Sequence, residues 1–221
     1  MNNPILYSFK RCPYAMRARM ALKLANIRCE IREIRLSNKP QHMLEVSPKG
    51  TVPVLILENK IIDESIEIID WVIGNNDIFH ENLSDKNINL TNNIINIFDN
   101  NFKYHLDRYK YSTRYKNIDI KYHQKECMSM LISLDKKISN DGWFFGENLN
   151  KLDISILPFI RQFRIADSEW FDKQKEIKRV QRVLNNFLES KLFKDIMYAY
   201  DLWKEGSEVI FFPNNQRPIK S

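Results

Sequence analysis

The chain has 221 residues, of which 43% are hydrophobic, so it can hold one large domain or two small ones with a sizeable core. No apolar run approaches the roughly 18 residues that a membrane span needs, and Met1-Asn2-Asn3-Pro4 lacks the charged and apolar regions of a signal peptide. These features exclude the membrane-spanning and secreted classes, and we expect a soluble, cytoplasmic protein.

The charges favour a basic surface. The 34 Lys and Arg residues and 28 Asp and Glu residues give a formal net charge of +6, which suits an anionic ligand or a nucleic acid. The basic residues are dispersed, however, and form no run of five or more. We therefore expect a solvated basic surface and no nucleic-acid partner.

The cysteines and histidines form no paired or ligating pattern. Cys12, Cys29 and Cys127 are widely spaced, which excludes a disulfide framework and a Cys-x-x-Cys zinc site and suits a reducing compartment. We expect no metal, because the four histidines also lack ligand spacing: His42, His80, His105 and His123.

The first 76 residues combine strand and helix patterns. Pro13 fits the first position of a helix, where its missing N–H would be unpaired anyway, and Pro53 fits the start of a strand. Two strands flanking a helix make a right-handed βαβ unit, which a hairpin and a helix follow. The predicted elements are strands at 5–9 and 28–36 around a helix at 13–26, a short helix ending at 46, strands at 54–57 and 61–62, and a helix from 63–65 to 74.

The rest of the chain has a helical pattern. Residues 77–86 are polar and rich in breakers, which is typical of a linker. Asn150 and Asp153 have the spacing of a capping box at the start of a very apolar helix. The other predicted helices cover 88–109, 119–138, 173–189 and 190–200, before an extended tail from 211. We therefore predict domains at 1–76 and 87–221, joined by the linker.

Cys12 is the candidate nucleophile. The predicted helix that begins at Pro13 places its unpaired amides and the positive end of its dipole at the Cys12 sulfur. Lys10, Arg11 and Arg17 add positive charge nearby, and both effects lower the pKa of a thiol and make it nucleophilic. The competing interpretation of a lone cysteine is a small buried hydrophobe.

Four motifs in order resemble the glutathione transferase superfamily: Cys12-Pro13, Val52-Pro53, Glu64-Ser65, and the capping box from Asn150 to Asp153. The resemblance runs from Leu6 to Pro213 and looks like a cysteine-type, omega-like member of a bacterial branch. It implies an α+β, two-domain fold, with a thioredoxin-like βαβ–ββα domain followed by an all-helical domain.

The resemblance also implies a glutathione site. Val52, before a cis Pro53, would pair with the cysteinyl backbone of glutathione as a short added strand. Glu64 and Ser65 match the positions that hold the γ-glutamyl end, and Lys39 matches one that often reaches the glycyl carboxylate. The alternatives are that Glu64 and Ser65 merely cap a helix and that Lys39 is only solvated.

The position of Cys12 implies the chemistry. A cysteine there can form a mixed disulfide with glutathione, which favours thiol–disulfide exchange, such as deglutathionylation or dehydroascorbate reduction. Ala15 occupies the second position of a dithiol motif, so a monothiol mechanism follows. Tyr7, Ser8 and Tyr14 are also near in sequence, and one of them could assist or replace Cys12 in conjugation chemistry.

Two alternatives stay open. One is conjugation to, or dehalogenation of, a small electrophile, in a pocket drawn from Phe9, Lys10, Tyr104, Arg108 and Tyr111. The competing interpretation of these aromatic and basic residues is core packing. The other is a non-catalytic binding module, against which Cys12 and the Glu64-Ser65 pair argue. The resemblance further implies a homodimer acting on small molecules in detoxification or redox chemistry, with glutathione as co-substrate.

Overall fold

The structure is a computed structural model that describes most of the chain. The predicted linker and the predicted tail fall partly outside the described residues, as do His80 and the first two positions. The described residues are 3–79, 84–139 and 142–213.

Strands and helices alternate early in the chain, and helices dominate later. In chain order they are β1 (Ile5–Ser8), α1 (Pro13–Leu24), β2 (Cys29–Glu33), α2 (Gln41–Val46), β3 (Val54–Ile56), β4 (Ile61–Ile62), α3 (Ser65–Asn75), α4 (Asp85–Ile97), α5 (Lys103–Lys110), α6 (Ile120–Asp135), α7 (Lys151–Ala166), α8 (Ser168–Asp172), α9 (Lys178–Glu189), α10 (Lys191–Ile196) and β5 (Phe211–Phe212). The α+β fold, with a thioredoxin-like domain and a helical domain, is confirmed.

The chain divides into two compact units. The first comprises Met1–Ile78 and Ser190–Ser221, and the second comprises Phe79–Glu189. The sequence places all of 87–221 in the helical domain, whereas α10 and β5 lie with the first unit. The physical reasons are that α10 packs against α1, where Lys23 Nζ lies 3.0 Å from Asp195 Oδ2, and that β5 pairs with β2.

The sheet of the first unit has the strand order β4-β3-β1-β2-β5. β1 and β2 are parallel, β3 is antiparallel to β1, and β4 is antiparallel to β3, so the predicted βαβ–ββα order is confirmed. The tail predicted from Phe211 instead begins with β5, antiparallel to β2. A strand of two residues shows no alternation that the sequence could reveal.

The segment of Cys12 rests on a buried apolar cluster. Residues from β1, α1, α2 and β3 form this cluster, and the side chains of Phe9 and Cys12 pack against it. Because the cluster spans both sides of the β1–α1 loop, it holds the loop against the sheet. Its buried members are Tyr7, Ala15, Ile34, Met43, Val52 and Val54.

In the second unit, a π-helical segment at Phe98–Phe102 separates α4 from α5, where the sequence predicts one helix at 88–109. Phe98 and Phe102 are buried and stack with ring centroids 4.4 Å apart. The apolar spacing of the sequence predicts a continuous helix and does not reveal a short π segment within it.

The predicted capping box opens α7. Asn150 Oδ1 accepts a hydrogen bond from the Leu152 N–H (2.9 Å), and Asp153 Oδ2 accepts one from the Asn150 N–H (2.8 Å). The other Asp153 oxygen accepts from the Phe144 N–H (3.0 Å). Asp153 is fully buried, so its carboxylate satisfies N–H groups that water cannot reach.

We expect Asp153→Ala to lower the free energy of unfolding by about 2–4 kcal/mol, because two buried N–H groups lose their acceptor. Urea denaturation measures this loss. The control is Asp119→Ala, which removes an exposed cap of α6 that holds one N–H and should cost about 1 kcal/mol. A loss at Asp153 no larger than that at Asp119 would contradict the interpretation.

Candidate functional site

Cys12 lies where the chain enters α1. It is the N-cap residue, its backbone is extended, and Pro13 takes the first helical position. The Cys12 N–H donates to the Phe9 carbonyl (2.9 Å), so the loop turns back on itself and presents the thiol. The sulfur is half-buried at the positive end of the helix, as the sequence predicts.

Val52 faces this thiol. The Cys12 S–H donates to the Val52 carbonyl, with Sγ and O 3.6 Å apart. The Val52–Pro53 bond is cis, as the resemblance implies. Within the described residues, the Val52 N–H donates to no acceptor. Val52 therefore offers a backbone donor and acceptor beside the sulfur, as an added extended chain requires.

Glu64 and Ser65 begin α3, but neither acts as a side-chain cap. Glu64 is the N-cap residue and makes no cap hydrogen bond; instead it forms an ion pair with Lys49. The buried Ser65 hydroxyl accepts a hydrogen bond from Arg17 Nη1 (3.3 Å). A cation, a hydroxyl and the free amides of a helix start therefore meet here, which suits a carboxylate.

Arg17 and Lys49 are residues that sequence reasoning missed as partners of this pair. The sequence counts Arg17 only as positive charge near Cys12, although it is fully buried in α1. Arginines among the alanines and methionines of α1 were the available signal, because such a group is buried only when it has partners. Nothing in the spacing pointed to Lys49.

Lys39 is exposed and runs alongside the loop that leads to Val52. A Cβ placed on Gly50 would lie 3.2 Å from Lys39 Nζ and 3.5 Å from its Cδ. Gly50 also has a φ of +61°, which side chains disfavour. Glycine at this position therefore lets the lysine approach the loop.

The three hydroxyl-bearing candidates near Cys12 make contacts of their own. The Tyr7 hydroxyl lies 2.8 Å from His42 Nδ1, and Ser8 Oγ accepts from Arg19 Nη1 (2.9 Å). The Tyr14 ring packs against the Arg17 guanidinium, 5.4 Å from its centroid. The thiol of Cys12 is thus the nucleophile that the geometry favours.

A buried charged network holds the loop before Cys12. Arg19 Nη2 donates to the Lys10 carbonyl (2.7 Å), and the Lys10 N–H donates to the Glu33 carboxylate. Arg19 Nη1 also lies 3.7 Å from Glu33 Oε2. Burial raises the pKa of Glu33, while the Lys10 amide and Arg19 oppose that rise. The network was not predicted.

The other two thiols are poor nucleophiles. Burial raises the pKa of Cys29 to about 12, and it also raises the pKa of Cys127. Both groups stay protonated near neutral pH, and a thiol reacts as its thiolate. Chemistry at a cysteine is therefore expected at Cys12.

The residues of the predicted electrophile pocket come from both units. Phe9 and Lys10 belong to the loop before Cys12. In the second unit, the Arg108 guanidinium lies 3.4 Å from the Tyr104 ring centroid, while Tyr111 packs against Arg114 (4.3 Å). That these groups share one pocket stays a prediction.

Beside Tyr104, two histidines pair in a way that the sequence did not reveal. Their Nδ1 atoms, on His105 and His123, lie 2.8 Å apart, so one ring donates and the other accepts. Burial is the main reason that the pKa of each is lowered. Arg108 lowers both further, while Glu126 opposes the change.

We expect stability to fall as the pH drops through about 6.5, the ordinary pKa of a histidine. Below that pH the histidines of the unfolded chain bind protons, whereas the folded pair, with its lowered pKa values, binds fewer. The stabilisation present above that pH is therefore lost. Denaturation midpoints across this range measure the effect. His105→Gln/His123→Gln should flatten the drop; an unchanged drop in the double variant would contradict the interpretation.

The described ranges contain no helix long and apolar enough to cross a bilayer. They also contain no group of three or more His, Cys, Asp and Glu side chains placed to hold a metal ion.

Comparisons with known proteins identify similar sequences and folds. A family model described as "Glutathione S-transferase, N-terminal domain" matches residues 6–77. The chain is 30% identical over 169 residues to "Probable glutathione S-transferase parA" of Nicotiana tabacum, covering 73% of this chain and 74% of that protein. It is 25% identical over 214 residues to glutathione S-transferase omega-1 of Rattus norvegicus, covering 88% and 85%.

A solved structure has a similar fold. It is a glutathione transferase family member from Pseudomonas fluorescens pf-5 with two glutathione bound, and it matches with a TM-score of 0.76 at 17% identity over 88% of this chain and 92% of that chain.

Proposed function

Since the chain belongs to the glutathione S-transferase family, we propose that it is a glutathione-dependent thiol–disulfide oxidoreductase in which Cys12 forms a mixed disulfide with glutathione. One observation carries the proposal: the Cys12 thiol meets the Val52 carbonyl at 3.6 Å, beside a Val52 N–H that has no acceptor within the described residues. A cysteinyl backbone paired with Val52 would bring its sulfur to Cys12.

The ends of glutathione have matching partners in this proposal. The γ-glutamyl carboxylate would bind at the Ser65 amide and hydroxyl, with Arg17 behind them. Glu64 would take the γ-glutamyl ammonium, exchanging its ion pair with Lys49. Lys39 would reach the glycyl carboxylate.

The proposed reaction has two exchange steps. The Cys12 thiolate attacks the glutathionyl sulfur of a disulfide R–S–SG; a new S–S bond forms, the old one breaks, and RS⁻ leaves and takes a proton from water. A second glutathione thiolate then attacks the glutathionyl sulfur on Cys12, which releases glutathione disulfide and regenerates the thiolate. Ala15 excludes a resolving cysteine at that position, so the incoming glutathione thiolate, rather than a second protein thiol, removes the glutathionyl group, and the net reaction is RSSG + GSH → RSH + GSSG.

The proposal extends to the setting of the enzyme. Exchange driven by reduced glutathione suits the cytoplasm, with small-molecule disulfides or oxidants as substrates and a redox or detoxification role. A homodimer is proposed from the family resemblance.

The experiment is incubation of the reduced protein with glutathione disulfide, followed by intact and peptide mass spectrometry. We expect one glutathionyl group, on Cys12. Cys29→Ala and Cys127→Ala are matched controls that each remove one thiol and should still acquire the group, whereas Cys12→Ala should not.

A group found on Cys29 or Cys127 alone would refute the proposal. Retention on immobilised glutathione without an adduct would favour conjugation to an electrophile, and an activity panel of aryl halides would then test that alternative. No retention and no adduct would favour a non-catalytic module.

A further inference from the structure

A cavity of about 680 Å³ lies within the first unit, apart from the Cys12 site. Side chains of β2, α2 and the segment that follows α10 line it, and its volume is in the range of small-molecule sites. The residues that the argument below uses are Glu30, Arg32, His42, Glu45, Trp203 and Glu205. None of the residues assigned above to glutathione lines it.

One wall of the cavity is a hydrogen-bonded chain. Arg32 Nε donates to Glu30 Oε1 (2.6 Å), and Arg32 Nη1 donates to the Tyr7 hydroxyl oxygen (2.8 Å). The Tyr7 hydroxyl in turn reaches His42 Nδ1 (2.8 Å). A tyrosine hydroxyl oxygen can accept two hydrogen bonds, so either Tyr7 or His42 can donate in this last contact. We call Arg32 and Trp203, which both line the cavity, the donor wall.

The donor wall presents N–H groups that have no acceptor among the described residues. Among the described residues, the Arg32 hydrogen bonds are those of Nε and Nη1, so Nη2 stays available. The Trp203 ring packs against the Arg32 guanidinium, 4.4 Å from its centroid, and its indole N–H has no acceptor in the same ranges. Stacking holds the guanidinium in place, and a fixed guanidinium edge matches a carboxylate.

The lining of the cavity also includes glutamates. A tight turn carries Glu205: the Ser207 N–H donates to the Lys204 carbonyl (3.0 Å), Ser207 Oγ accepts from the Lys204 N–H (3.0 Å), and Gly206 has a φ of +80°. Glu45 faces the cavity from α2. The lining contains three glutamates and two basic residues, Arg32 and Lys204, so its formal net charge is −1. This charge disfavours a dianion.

We propose that this cavity binds a small zwitterion, an amino acid or short peptide, whose carboxylate meets the donor wall and whose ammonium meets Glu205 and Glu45. The lining offers both N–H donors, from Arg32 and Trp203, and carboxylates, from Glu205 and Glu45, which match the two charged groups of such a molecule. The proposal does not depend on the chemistry at Cys12.

The test is calorimetric titration of the full chain with the dipeptide Ala-Phe, without glutathione, because glutathione is itself a zwitterionic peptide and would compete for the cavity. We expect saturable binding. The N-acetylated and C-amidated forms should bind more weakly, because each lacks one charged end. Trp203→Phe should weaken binding of Ala-Phe roughly tenfold by removing one N–H, and Glu205→Gln about threefold.

Glu58→Gln is the matched control, because it neutralises an exposed glutamate in the turn between β3 and β4 and should leave binding unchanged. Glu205→Gln should also have no effect on the N-acetylated dipeptide, which has no ammonium. Absence of binding by Ala-Phe, equal binding of the blocked forms, or wild-type affinity in both cavity variants would overturn the proposal.

Discussion

Cys12→Ala will lower kcat/KM for glutathione-dependent disulfide exchange by roughly 10³-fold or more, as removal of a covalent nucleophile does. The remaining two thiols cannot substitute for it, because Cys29 and Cys127 are buried and burial raises the pKa of both. The rate of glutathione disulfide formation from a small mixed disulfide, coupled to its reductase, measures the effect.

A measurement of glutathione binding distinguishes a variant that has lost the catalytic step from one that has lost the binding site. The proposed contacts at Val52, Ser65 and Lys39 do not need the sulfur, so Cys12→Ala should bind glutathione with an affinity within a fewfold of wild type. Cys127→Ala, which removes a buried thiol in the other unit, should keep the exchange rate. If Cys12→Ala retains the full exchange rate, the monothiol mechanism is wrong.

Local signals carried most of the fold prediction. Pro13 marks the start of α1, and the Asn150–Asp153 spacing marks the start of α7, because both effects act within one helical turn. β5 and the attachment of α10 to the first unit depend instead on partners far away in sequence. Such long-range pairing leaves no periodic trace in a two-residue strand.

The same distinction applies to the site. The placement of Cys12 follows from the residues beside it, whereas the link from Arg17 to Ser65 spans 48 positions and was not predicted. Buried arginines are also the residues that composition assigns to the surface. Two of them, Arg17 and Arg19, lie fully buried in α1, and they connect the sheet and α3 to the loop that carries Cys12.

Arg19 is therefore the residue whose loss should most destabilise the first unit. Arg19→Met keeps much of the side-chain volume but leaves Glu33 buried without its cation, and breaking a buried pair in this way costs about 3–5 kcal/mol. It also frees the Lys10 carbonyl, so the loop of Cys12 loses a support and exchange activity should fall as well. Guanidinium denaturation and amide hydrogen exchange in β1 and β2 measure the two losses.

The pH dependence of Arg19→Met distinguishes a lost charge partner from lost packing. Burial already raises the pKa of Glu33, and Arg19 opposes that rise, so the variant should raise this pKa further. The folded variant then binds a proton that the unfolded chain has released, and its stability falls as the pH rises. The loss of unfolding free energy in Arg19→Met, relative to wild type, should therefore be smaller at acidic pH. The control Arg35→Met, at an exposed arginine, should change the free energy of unfolding by no more than about 0.5 kcal/mol. If Arg19→Met loses no more stability than this, or loses the same amount at every pH, the buried charge network does not hold this loop.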